Sequence, residues 1–177
     1  MILNIAICIV SITLSLILDS IIEWWTHKYP MHKKMPGPLF RFLFKHHVNL
    51  HHSLFSGNAY EHSHEANDRD TIPFPLWVGP LLILTAISPF WIISYYIGNY
   101  IPVWTSLSVA LFYYVAFEGI HQLMHIPDSP KVRWIRETKW FKWLNEHHRK
   151  HHEKASYNFN LVLPLADWLF GTMLLKK

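Results

Sequence analysis

The chain has 177 residues, is 51% hydrophobic with nine Trp, eight Tyr and eleven Phe, and carries a formal net charge of +4. That length suits one domain over residues 1–177, and so large an apolar and aromatic share points to a membrane protein. The single cysteine, Cys8, excludes a disulfide framework and a thiolate metal site, and positive charge interleaved with bulky apolar residues suits anionic lipid headgroups rather than nucleic acid.

Residues 1–22 are apolar apart from Asn4, Asp19 and a few hydroxyls, long enough to cross a hydrocarbon core of about 30 Å as a helix. No basic segment precedes the run and no small-residue cleavage site follows it, so a retained membrane helix is expected rather than a signal peptide. Trp24, Trp25 and Tyr29 then form an aromatic belt. From Thr71 to Phe117 no residue is charged, and Gly98-Asn99 interrupts the run. This predicts a hairpin of two further crossings, 76–97 and 100–117. Pro80 and Pro89 are expected to kink or break its first arm. The 16 Lys and Arg fall in two blocks, Lys28 to Arg69 and Lys131 to Lys177. Three crossings bring both blocks to one side, which the positive-inside tendency makes cytoplasmic. The predicted fold is an all-α integral membrane bundle with a histidine-rich, cytoplasm-facing site for two metals.

Histidine supplies that site. Of 14 histidines, ten fall into four boxes: His27-x4-His32, His47-x3-His51-His52, His121-x3-His125 and His148-x2-His151-His152. On a helix, His148, His151 and His152 stand at i, i+3 and i+4 and share a face, and His121 and His125 lie one turn apart. His27 and His32 would point about 140° apart on a straight helix, so Pro30 is expected to break the helix between them. A tetrahedral zinc takes about four ligands; ten imidazoles without a thiolate are economically read as two metals. Imidazole suits iron, zinc, copper and nickel alike.

The four boxes in this order, followed by Tyr157-Asn-Phe-Asn160 and Asp167-Trp-Leu-Phe-Gly-Thr172, resemble the fatty acid hydroxylase superfamily, which includes fatty acid 2-hydroxylases, sterol desaturases and oxidases and, more distantly, carotenoid hydroxylases. The resemblance runs from about Glu23 to Thr172. It departs from the family at the second box, usually His-x2-His-His, which here reads His46-His47-Val-Asn-Leu-His51-His52. The first ligand of that box is therefore His46, His47 or neither, and one-turn spacing to His51 favours His47. His62 and His64 match no box.

The resemblance implies an integral membrane, non-haem di-iron oxygenase that uses O2 to hydroxylate a lipid, with a fatty acyl chain favoured over a carotenoid by the short third box. Desaturation and sterol oxidation stay open within the superfamily. Breaking an unactivated C–H bond requires a redox metal, which iron is and zinc is not. Zinc at the same ligands stays open as a substitute, as does a non-redox zinc scaffold or hydrolase. Glu23, Glu118, Glu146 and Asp167 are candidate carboxylates for the outer ring N–H of ligand histidines. Trp140, Trp143 and Phe159 are candidate substrate contacts. With no dinucleotide, flavin, haem or cluster motif in the chain, electrons must come from an external cytochrome b5-type or ferredoxin-type donor, and the basic stretch with Arg133, Arg136 and Lys139 is expected to dock it.

Overall fold

The computed structural model describes residues 1–61, 72–127 and 129–174. Within them the chain is helical, without strands. Helix α1 (Ile2–Thr26) continues into a wider, π-helical turn over His27–Met31. Helix α2 (Pro38–Phe44) likewise runs on through a π-helical segment, Lys45–His51, into a short turn at His52–Leu54. The long α3 (Val78–Ile97) and α4 (Ile101–His125) follow, then the short α5 (Arg133–Arg136), α6 (Lys139–Glu153) and the short α7 (Leu165–Leu169).

Three of these helices, Ile2–Met31, Val78–Ile97 and Ile101–His125, are long and apolar enough to cross a membrane. Their outward faces carry large apolar side chains such as Ile9, Leu84, Ile92, Phe112 and Val115, as lipid contact requires. Helix α4 is the central member and packs against both α1 and α3. Small residues at the seams, Ala86 and Ala110, are buried and let the backbones approach closely.

The sequence boundaries change in three places, the first being α1, which runs past residue 22 to Thr26 and on through its π turn to Met31. Helix α4 runs to His125 rather than stopping at residue 117, so the third box rides on the membrane helix itself. Helix α3 is continuous through Pro80 and Pro89. Pro80 sits in the first turn, where no intrahelical N–H is required. Pro89 has no N–H for the carbonyl of Thr85; Ser88 Oγ donates to that carbonyl instead, at 2.9 Å, and the helix survives. The turn to α4 is closed by Gly98 in the left-handed region at φ 62°, and Ile101 N–H donates to the Asn99 side chain at 2.9 Å.

The remaining elements form a cap over the ends of α1 and α4. Helix α6 starts cleanly because the Thr138 hydroxyl accepts from Phe141 N–H at 3.1 Å. Its apolar face, Phe141 and Leu144, buries against Ile120 and Met124 of α4 and Leu161. The opposite face carries Arg149 between Glu146 and Glu153. The chain after α6 is tied to α1 through Trp24, Phe159 and Ala166. Four segments distant in sequence thereby meet at one end of the membrane helices.

Candidate metal centre

The ends of α1, α2, α4 and α6 carry the four histidine boxes, and the cap brings them together. Five imidazoles, His27, His32, His47, His52 and His151, place one ring nitrogen each within 4.8 Å of one another. Four more, His51, His121, His125 and His148, do the same beside them. His152 falls outside both sets, but its Nε2 is 3.0 Å from His148 Nε2 and its ring stacks on His52 at 4.1 Å, so it sits between them. All ten box histidines are therefore in one cluster, divided in two. Of the pair at the second box, His47 enters the first set, whereas His46 packs against Phe42 and Phe74. His62 and His64 lie outside the described residues.

Helix type decides which histidine joins which set. His27 and His32 are five residues apart, as are His47 and His52, and each pair spans a π-helical turn. Bonding from i to i+5 brings residues five apart onto one side, so both pairs face the first set. His121 and His125, four apart on regular α-helix, both face the second. The expected break at Pro30 does not occur: Pro30 lies inside the π turn. A proline ring clashes with the carbonyl four residues earlier and donates nothing to it, and widening the turn relieves both problems without ending the helix.

The outer nitrogens fix the tautomers. His27 Nδ1–H donates to the Phe159 carbonyl at 2.5 Å, His125 Nδ1–H to the Tyr60 carbonyl at 2.9 Å and His151 Nδ1–H to the Tyr157 carbonyl at 2.7 Å. Each Nε2 is then a bare lone pair aimed into the cluster. The inner contacts cannot be a hydrogen-bond network. His47 Nε2 lies 2.9 Å from His27 Nε2, 3.2 Å from His32 Nε2 and 3.1 Å from His52 Nε2, yet a ring nitrogen carries one hydrogen or one lone pair, not three. Convergent buried lone pairs of this kind fit a cation placed among them.

Electrostatics agree. Burial, reinforced by the His151 imidazole, pushes His32 down to about 3; burial, with a smaller push from His147, outweighs the Tyr157 carbonyl and Asp167 in holding His151 near 4. His47, His51, His148 and His152 are driven well below the usual histidine value by burial first and by each other second. At neutral pH these rings are uncharged and able to ligate.

The carboxylates do something other than expected. Among the described residues the outer ring N–H groups of the clustered histidines donate to backbone carbonyls rather than carboxylates, and the carboxylates hold the backbone that offers them. Asp167, fully buried, accepts from Phe159 N–H at 3.0 Å, Asn160 N–H at 2.7 Å and the Thr172 hydroxyl at 2.6 Å. It also accepts from His147 Nε2–H at 3.2 Å. Glu23 accepts from Leu161 N–H, Asn160 Nδ2 and the Tyr113 hydroxyl. Asn158, in the left-handed region at φ 58°, ties its side chain to the His147 carbonyl at 2.9 Å. The loop 157–161 is thus clamped so that two of its carbonyls orient His27 and His151. Glu118 instead accepts from Phe74 N–H at 3.1 Å, and Glu146 pairs with Arg149 at the surface. His147, Tyr60 and Asn160 also serve the site without belonging to any histidine box, and of the three only Asn160 lies in a sequence signal, the Tyr157-Asn-Phe-Asn160 motif.

Phe159, 2% exposed, packs its ring against His27, His32 and His151, while Trp140 and Trp143 face outward at 52% and 48% exposure. Arg136 turns inward, donating to the carbonyls of Leu123 and Ile126 and pairing with Glu61 at 3.2 Å.

An all-helical protein with three candidate membrane spans and a buried, metal-competent histidine cluster at their head is, as a class, a membrane histidine-box protein. The chain matches the fatty acid hydroxylase family over residues 12–172 and belongs to that family. This is a family of hydroxylase enzymes, and membership supports an enzyme with membrane lipid hydroxylase- or desaturase-type activity. Among curated proteins nothing matches the chain, and among solved structures nothing matches it either.

Proposed function

We propose that the chain is a membrane-bound, non-haem di-iron oxygenase that hydroxylates a lipid, with a fatty acyl chain as the substrate class and O2 and external electrons as co-reactants. The observation that carries this reading is the division of one imidazole cluster into two sets, one fully buried and one with only His32 and His52 half-buried, in which more nitrogens converge than hydrogen bonding can use. His27, His32, His47, His52 and His151 would hold one iron, and His51, His121, His125 and His148 the other, with His152 beside both. Iron bound there supplies the redox chemistry with O2 that an unactivated C–H bond demands and that zinc lacks.

The rest is the chain's own work. The carbonyls of Phe159, Tyr60 and Tyr157 keep His27, His125 and His151 in the ligating tautomer. The Phe159 ring excludes water from the first set. An apolar cleft between α1, α3 and α4 ends at His27, and we assign it to the lipid chain, which it would hold with one carbon presented to the cluster. The two basic blocks support a cytoplasmic position for this end of the molecule by the positive-inside tendency. We place the docking of an acidic cytochrome b5-type or ferredoxin-type donor on the basic surface around Lys139 and Lys142.

The test pairs metal analysis of detergent-purified protein from iron-supplemented cells with mass spectrometry of the lipids of cells bearing the chain or its His148→Ala variant. Two irons per chain and lipids heavier by one oxygen, both diminished in the variant, are expected. Zinc alone, with no oxygenated or unsaturated lipid when iron and a donor are supplied, would replace this reading with a non-redox one.

A further inference from the structure

The cleft beneath His27 is lined mainly by apolar side chains, among them Leu82, Ile83, Ala86, Ala110 and Phe117, with Thr26 and the rings of Tyr113 and Tyr114 beside them. Two carboxyl groups also line it, both from α1: Glu23 and Asp19. With His27 they recur at every fourth position, so the polar groups descend from the cluster into the membrane span. Glu23 is fully engaged, with one oxygen taken by Leu161 N–H and the other by Asn160 and Tyr113. Asp19 is not. It is 7% exposed, and its Oδ2 is buried with no hydrogen-bond partner among the described residues.

Eight residues of helix separate Asp19 from His27, roughly 12 Å along the axis. With His27 at the membrane surface, that depth lies close to the middle of a hydrocarbon core about 30 Å thick. Bulk water does not reach there, and an ionisable side chain inside a span marks a functional position by default. A buried acceptor without a donor is costly, and the small, buried Ala86 and Ala110 line the same cleft. Leucine at position 19 would fill the same space without that cost.

We propose that Asp19 is the recognition point at the inner end of the cleft: the lipid oxidised at the cluster carries a hydroxyl at its far end, roughly 12 Å from the reacting carbon, and that hydroxyl donates to Asp19 Oδ2. The substrate class becomes an apolar chain already bearing a terminal alcohol, so the reaction supplying it is itself an oxygenation or a reduction that leaves an alcohol. The inference rests on the assignment of the cleft to the lipid chain.

Dodecanoic acid and ω-hydroxydodecanoic acid differ only at the end that would meet Asp19. Their affinities for the full-length chain in lipid nanodiscs are measured by displacement of tritiated dodecanoic acid. The hydroxylated chain is expected to bind about tenfold more tightly, the effect of one net hydrogen bond in an apolar site. Asp19→Asn, which keeps an acceptor, should retain the preference. Asp19→Leu should abolish it while binding dodecanoic acid at least as well. Equal affinities in the unmodified chain, or a preference that survives Asp19→Leu, overturn the proposal. Should Asp19→Leu fail to fold, the comparison on the unmodified chain decides alone. If His148-dependent oxygenation of lipids is seen but the two acids bind equally, this inference alone fails; if neither acid binds and no lipid is oxygenated, the parent reading fails with it.

Discussion

At the scale of single residues, the centre depends on a carboxylate that never touches the cluster of ten. Asp167 gathers two backbone N–H groups, a hydroxyl and His147, and so fixes the loop whose carbonyls orient His27 and His151. Asp167→Asn turns one acceptor oxygen into a donor facing other donors. Breaking a buried, charge-assisted network of this kind costs on the order of 3 kcal/mol. Because the lost contacts lie behind the first set, metal should be lost from that set before the other: calorimetric melting should drop, and iron per chain should fall towards one. Full metal loading in Asp167→Asn would show that the loop carbonyls do not orient the ligands. The histidines themselves set the response to acid. His32 and His151 are held near 3 and 4 in the folded chain against an ordinary 6.5, so the folded state binds fewer protons than the unfolded one. Above pH 6.5 both states are neutral at these rings and pH has no leverage; from 6.5 downward the unfolded chain alone gains protons, and stability falls until the folded values are reached. Protons also compete with metal for the same nitrogens. Metal release and melting followed from pH 8 to 4 should therefore be flat above about 6.5 and steep below; a flat profile down to pH 4 would contradict the burial of these rings.

At the scale of elements, the informative feature is the pair of π-helical turns. A π turn is an α-helix that has absorbed an extra residue, and the second box, His47-x3-His51-His52, has one residue more than the family's usual His-x2-His-His. Lys45–His51 takes up that residue and keeps His47 and His52 on one side. Deleting Asn49, which is exposed, should return the segment to regular α-helix with His47 and the last histidine of the box one turn apart. Both metals should stay bound, with activity within about threefold of the unmodified chain, whereas a second deletion in the same segment should remove the first-set metal by turning the box by about 100°. Loss of metal in the single deletion would mean that the π turn is required for itself. These turns also mark where the sequence stopped being legible. The three apolar runs and the four boxes were readable because each is a local pattern with a fixed period, and His47 could be preferred over His46 on spacing alone. The π turns could not be read, since nothing short-range distinguishes His47-x3-His51 on an α-helix from the same residues on a wider one, and Pro30 argued for a break. The clamped loop 157–161 was equally hidden: its partners Ser20, Glu23 and Asp167 are distant in sequence or reach it through backbone atoms. The charge pattern puts the end of α4 at residue 117, where the uncharged run meets Glu118, but that carboxylate accepts from Phe74 N–H and the helix continues to His125.

At the scale of the whole molecule, the membrane helices and the cap are held by different forces. Helices α1, α3 and α4 pack through small and aliphatic seams and need only lipid around them. The cap meets them through modest apolar clusters, Phe141 and Leu144 against Ile120 and Met124 and Phe159 and Ala166 against Trp24, through hydrogen bonds of Ser20 and Glu23 to the loop after α6, and through imidazoles drawn from α1, α2, α4 and α6. Without cations, those nitrogens face one another with too few hydrogens to share, a net cost; with cations they cross-link four segments. A ligand present at a thousand times its Kd stabilises by about 4 kcal/mol, and in a chain of this size each kcal/mol moves Tm by roughly 2–4 °C. Chelation of each metal should thus lower Tm by about 8–16 °C, and iron(II) should restore it. The loss should be confined to the cap. Limited proteolysis of the chelated protein should cut first in α2, α6 and the loop after α6, while circular dichroism keeps the signal of the spanning helices. His148→Ala should show a smaller chelator-dependent shift than the unmodified chain, because one of its two sets has already lost a ligand. Identical melting with and without chelator would mean that the cap stands on its apolar contacts and the hydrogen bonds of Ser20 and Glu23 and that metal binding at the imidazole cluster contributes nothing to the fold.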